Sequence, residues 1–261
     1  MKHNNLKKRL ESIYTRYHST LYIDNDPISC VRRFDEKRDQ EIAGLISSSL
    51  AYGRINNIIR SLNSIFIITG DDLSGFVMES TLDEKKNLLK NFRHRFNSGE
   101  DMALLMESVK HAILQHGTVG NLFRLLLQKR GTLKEALTSF SNKLKEYAPC
   151  KEIKKQRYFE YLLPSPKNGS ACKRLNLYLR WMIRKKDGID LGVWEDLSPE
   201  ILIIPLDVHI IRAARYLGMT SRSCGDWKMA EQITEKLAES CPEDPVKYDF
   251  SLCRYSMVEL N

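Results

Sequence analysis

The sequence has no apolar run approaching the roughly twenty residues that a membrane-spanning helix requires, so none is expected. Its first residues, MKHNNLKKRLESIYTRY, lack the apolar stretch of a secretory signal, which makes a cytosolic protein the expectation. No two of its six cysteines stand in a CxxC or comparable ligand spacing; Cys30, Cys150, Cys172, Cys224, Cys241 and Cys253 are scattered along the chain. In a reducing compartment most such thiols serve as small buried hydrophobes, and neither a structural zinc nor an iron–sulfur site is expected. No repeat at a fixed period appears, which excludes a solenoid. No Asn-Gly turn lies between alternating strands, and no linker is flexible enough to separate independent domains.

What is present is helical spacing. LKKRLESIYTRY, DQEIAGLISSSLAYG, INNIIRSLNSIFI, DMALLMESVKHAIL, NLFRLLLQK and TLKEALTSFSNKLKEY all carry apolar residues three and four apart. Asp and Thr mark helix starts, and Gly53, Gly70, Gly117 and Gly131 mark stops. Strand-like runs are short, FIIT and ILIIP. The expected class is therefore all-α, with residues 1–261 forming one domain of two helical lobes around a cleft. One sustained loop interrupts the pattern, LLPSPKNGS from Leu162 to Ser170.

Charge is uneven. Lys and Arg number 41 against 33 Asp and Glu, a net +8. Residues 151–186 hold eleven basic and two acidic side chains, net +9, which leaves the rest of the chain at −1. A block of this kind suits a polyanion such as nucleic acid; a solvated basic face without a partner is the alternative.

Two segments carry candidate chemistry. SACKRLNLYLRWMIRKK, 170–186, reads as a helix with Ser170 as N-cap. Cys172, Leu175, Tyr178, Leu179 and Met182 would form its buried face. Lys173, Asn176, Arg180 and Arg184 would form a polar, mostly basic stripe. Lys173 then falls at the third helical position, where a capping box would place Glu or Gln. A cation there opposes the helix dipole, and that field with Arg174 beside it favours an uncharged, nucleophilic amine. The simpler reading is a surface lysine that touches phosphate. The second segment, IIPLDVHIIRAARYLGM, reads as an apolar extended approach to a helix from Val208 to Leu217, closed by Gly218. Asp207 is its natural N-cap. An apolar approach also partly desolvates this carboxylate, which would let it support positive charge or accept a proton. Amine and carboxylate, 34 residues apart in sequence, are what attack at a sugar anomeric carbon requires.

PLDVHIIRAARYLGM resembles the "Pro-Val-Asp-Thr-His" segment of the helix-hairpin-helix (HhH-GPD) DNA glycosylase superfamily. LLPSPKNGSACKRLNLYLRWM resembles its hairpin and lysine helix, most closely in the archaeal 8-oxoguanine glycosylase pattern. EIAGLISSSLAYGR is similar to its N-terminal helix and DNA-wedging loop, and the tail from Trp227 to its closing helices. The whole chain also resembles a widespread bacterial family of unknown function. The superfamily resemblance implies a base-excision glycosylase, with or without AP-lyase activity, acting on a damaged base. Lys173 matches the Schiff-base lysine and Asp207 the partnering aspartate. Tyr52 and Arg54 match the wedge, and Lys167, Asn168 and Gly169 lie in the hairpin. Arg174, Arg180 and Arg184 would contact the DNA backbone. The implied partner is damaged double-stranded DNA in the bacterial cytoplasm, at the nucleoid. No cofactor, metal, membrane or protein partner is called for. A non-catalytic nucleic-acid-binding protein on the same fold is the second reading, and a helical scaffold for an acidic protein a third.

Overall fold

A computed structural model describes residues 2–149 and 153–260, with side chains at 5–149 and 157–260. Cys150 and the start of the basic block, Lys151 and Glu152, lie outside the described residues. The described chain is built mostly of helices, so the all-α class holds. In order they are α1 (Lys2–Tyr17), α2 (Ile28–Val31), α3 (Lys37–Ser49), α4 (Ile55–Thr69), α5 (Leu73–Glu79), α6 (Leu82–Leu88) and α7 (Gly99–His116). They continue with α8 (Val119–Arg130), α9 (Leu133–Tyr147), α10 (Ile153–Leu162), α11 (Lys173–Ile183), α12 (Val208–Tyr216), α13 (Trp227–Ala238) and α14 (Asp249–Glu259). Between α6 and α7 a small antiparallel hairpin pairs β1 (Arg93–His94) with β2 (Asn97–Ser98).

Local chemistry explains the boundaries. Thr81 with Glu84 and Ser98 with Asp101 form reciprocal capping boxes at α6 and α7. Thr118, Thr132, Asp207 and Asp226 each accept backbone N–H groups at the starts of α8, α9, α12 and α13. After α12 the N–H of Met219 donates to Ala214 O and that of Gly218 to Arg215 O, the paired bonds of a Schellman stop. The strand-like run FIIT lies inside α4, where Phe66 continues a helical stripe that buries Ile58, Leu62 and Ile65 while Ile67 and Ile68 are exposed. Gly53 closes no helix: α3 ends at Ser49 and Gly53 turns the chain into α4.

The chain divides into two compact units. Asp24–Lys167 is organised on α7, against which α5, α6, α8, α9 and α10 pack. Met102, Leu105, Met106, Val109 and Ala112 of α7 are fully buried, each large side chain contributing roughly 1.5–3 kcal/mol by leaving water. The other unit joins Met1–Ile23 to Asn168–Asn261, with α14 packed on α1 and α12. In it α11 is sheathed on every side: all residues from Arg174 to Ile183 are buried, and Tyr178 meets Trp194 edge to face with centroids 5.4 Å apart.

Candidate functional site

The turn into α11 differs from the sequence expectation. The helix starts at Lys173, and Cys172, not Ser170, is its N-cap residue. Cys172 is buried with φ 48°, a left-handed conformation that costs an L-residue roughly 1–2 kcal/mol. Ser170 Oγ accepts the Cys172 N–H at 3.1 Å, and the Asn176 side-chain amide donates to Ala171 O at 3.0 Å. These bonds hold the turn. Asn176, expected on a polar stripe, is buried for this purpose. Lys173 is thus the first helical residue rather than the third, still at the positive end of the helix.

Asp207 arrives on a stretch in which Leu202, Ile204, Pro205 and Leu206 are buried, and the Ile204 N–H donates to Thr234 Oγ1 at 3.0 Å. Its Oδ1 accepts the N–H groups of His209 and Ile210 at 2.9 and 3.0 Å. Its Oδ2 lies 3.3 Å from Lys173 Nζ. One oxygen therefore caps α12 and the other meets the amine. The Lys173 side chain is 34% exposed and that of Asp207 17%. An ion pair this open to water adds about 1 kcal/mol or less to stability, so its chemical reach matters more than its energy. His209 is half-buried in the first turn of α12. Burial lowers its pKa, aided by Arg212, Lys173 and Arg254 and opposed by Asp207, which keeps the imidazole neutral near pH 7. The Cys253 thiol, felt by Asp207, is pushed up by burial and stays protonated.

Arg180 and Arg184 correct the sequence reading. Both are buried, not aligned along an exposed stripe. Arg180 donates from Nε to Asp190 Oδ1 at 3.0 Å and pairs with Asp249. Arg184 donates from Nε to Asp244 Oδ2 at 2.8 Å, and pairs with Asp190 and with Asp187 at 3.1 Å. Burial would raise the Asp187 carboxyl, but His18, Arg184 and two backbone N–H groups hold it far below the usual range. Burial pushes Asp249 up to about 6 despite Arg180. These arginines neutralise four aspartates from outside the basic block, so they are not available to phosphate. Arg174 is also buried, at 8% exposure, which removes it from the surface set. Lys167, Asn168 and Gly169 remain exposed around a single 3-10 turn, and Gly169 O accepts the Trp227 N–H at 3.2 Å.

In the other unit Arg54 is exposed at the start of α4, but Tyr52 is not a free wedge. Its hydroxyl donates toward Asn97 Oδ1 at 2.5 Å and His94 O at 3.1 Å. The hairpin that holds it was not expected from the sequence. The alternation of aromatic and basic residues there was the available signal. A depression of about 680 Å³ beside Arg184, Glu195, Glu200 and Lys247 does not include Lys173 or Asp207. Among the described residues no group of His, Cys, Asp and Glu is arranged to hold a metal ion, and no helix is long and apolar enough to cross a membrane.

Residues 26–258 match the model of a family described as protein of unknown function, DUF2400. The chain belongs to this family. No curated protein and no solved structure matches it.

Proposed function

We propose that the protein is a base-excision DNA glycosylase of the helix-hairpin-helix class with AP-lyase activity, acting on a damaged base through Lys173. The observation that carries this reading is the 3.3 Å approach of Lys173 Nζ to Asp207 Oδ2 at two helix starts, with the Lys173 side chain one third exposed. Asp207 accepts a proton from the ammonium, which frees the lone pair. The amine attacks C1′ of an extruded nucleotide while the N-glycosidic bond breaks and the base leaves with a proton. Opening of the sugar, with a proton passing to O4′, gives an imine. Loss of a C2′ proton and of the 3′ phosphate then nicks the strand. Neutral His209 is a second proton acceptor beside the pair.

The test is borohydride trapping on duplexes carrying an abasic site, 8-oxoguanine or uracil. An adduct that disappears with Lys173→Ala while DNA binding persists supports the enzyme. Salt-sensitive DNA binding with no adduct on any duplex would leave the second reading, a nucleic-acid-binding protein, which the exposed Lys167, Lys185 and Lys186 favour.

A further inference from the structure

The hairpin between α6 and α7 and helix α10 carry exposed rings, Phe96 and Tyr161, to which the glycosylase reading assigns no role. Phe96 at the hairpin tip is 47% exposed and Tyr161 of α10 is 42% exposed. Their rings meet edge to face at 5.5 Å. Tyr52 lies parallel to Phe96, at 6.1 Å and 9°, and edge-on to Tyr161 at 5.2 Å. Tyr158, one turn before Tyr161 on α10, is 49% exposed. Large rings left this far in water forfeit burial that ordinarily favours folding.

The rings are rigidly supported. His94 has both ring nitrogens engaged, one with Ser61 Oγ at 2.9 Å and one with Tyr52 O at 3.0 Å. Asn97 accepts the Tyr52 hydroxyl and donates to Tyr158 O at 2.8 Å. Arg54, Arg93 and Arg95 are all exposed, and the Arg95 guanidinium lies 5.4 Å from the Phe96 ring centre. Neither 52–56 nor 91–98 contains an acidic residue; Glu160 on α10 is the neighbouring carboxylate. Arg95 also holds φ 53° in a position that glycine usually takes in a two-residue hairpin loop. Backbone strain of this kind concentrates where a side chain is held for use.

We propose that Phe96 and Tyr161, supported by Tyr52 and with Arg95 beside Phe96, form a stacking platform for an unpaired base of single-stranded DNA. Flat aromatic faces take any base, and guanidinium groups without competing carboxylates in the same segments track the phosphates. The platform shares its polyanionic partner with the glycosylase reading but not the chemistry at Lys173.

The test is titration of the full-length protein with oligo(dT) carrying one 2-aminopurine, for wild type, Phe96→Ala, Tyr161→Ala, Phe96→Trp and Arg95→Ala. The replaced side chains are surface groups, and a thermal melt checks folding of each variant. Stacking predicts quenching in wild type, about tenfold weaker binding with Phe96→Ala, and retention with Phe96→Trp. Arg95→Ala should reduce the salt dependence of log affinity by roughly 0.7. Equal binding by wild type, Phe96→Ala and Tyr161→Ala would overturn the platform. So would absence of binding, even with Lys173-dependent trapping intact. Tighter, Phe96-dependent binding of oligo(U) would overturn the assignment to DNA. Loss of trapping alone, with the quench intact, would sink the enzyme and leave the platform standing.

Discussion

Asp207 divides its two oxygens between two helices: Oδ1 caps α12 through His209 and Ile210, and Oδ2 lies 3.3 Å from the amine of Lys173 on α11. The same carboxylate is thus a structural cap and the candidate proton acceptor, and substitutions separate the two roles. Asparagine caps as well as aspartate, whereas alanine does not.

Asp207→Asn should therefore leave thermal stability nearly unchanged, while Asp207→Ala costs about 1 kcal/mol. Both should slow borohydride-trapped imine formation by roughly a hundredfold or more, the usual scale of a lost general base. Melts and trapping time courses on one abasic duplex check this. Full trapping by Asp207→Asn would reduce Asp207 to a cap.

Arg180 and Arg184 supply a contrast between charge that folds the protein and charge that faces solvent. Arg180→Ala leaves Asp190 and Asp249 buried without that guanidinium, which should cost on the order of 3–5 kcal/mol. At a temperature where the variant stays folded, the salt dependence of its DNA affinity should match wild type. Lys167→Ala should show the reverse: unchanged stability and a slope smaller by about 0.9. Chemical denaturation and binding titrations at several salt concentrations distinguish them. A reduced slope for Arg180→Ala would return it to the DNA-contact set.

The sequence made the helices legible because period and caps agree at α6 to α9 and at α12. It also singled out Lys173 and Asp207, since each opens an apolar helix at a turn signal. It misplaced Arg180 and Arg184 because two of their partners, Asp244 and Asp249, lie 60 and 69 residues beyond them. A local charge count cannot see such neutralisation. The start of α11 was misread because a cysteine in the left-handed region replaces the expected serine cap. The hairpin was missed because each strand has only two residues and its turn carries Arg95 where glycine is usual.

Asp249 gives a pH signature. Its carboxyl is raised by burial from 3.8 to about 6 in the folded protein. The folded state then holds a proton that the unfolded chain releases above pH 4. The stabilising contribution is complete at low pH and is lost as pH rises through about 6. The stability difference between wild type and Asp249→Asn should therefore shift against wild type between pH 4 and 6.5, then level off. Denaturant melts of both proteins across that range measure it. A flat difference would mean that Arg180 keeps Asp249 ionised throughout.

Gly53 links backbone conformation to the hairpin surface. It sits at φ 99°, and a Cβ there would stand 3.1 Å from the Arg95 side chain. Gly70, at φ 73°, has open space around the same position. Alanine at either site should cost about 1–3 kcal/mol through backbone strain alone. Only Gly53→Ala should also crowd the Arg95 side chain beside Phe96, and so weaken the binding of single-stranded DNA. Melting curves paired with the 2-aminopurine titration separate strain from crowding. If both variants bind as wild type, Arg95 can move without consequence, and the platform rests on the aromatic rings alone. If both weaken binding equally, the loss reports general destabilisation rather than the contact between Gly53 and Arg95.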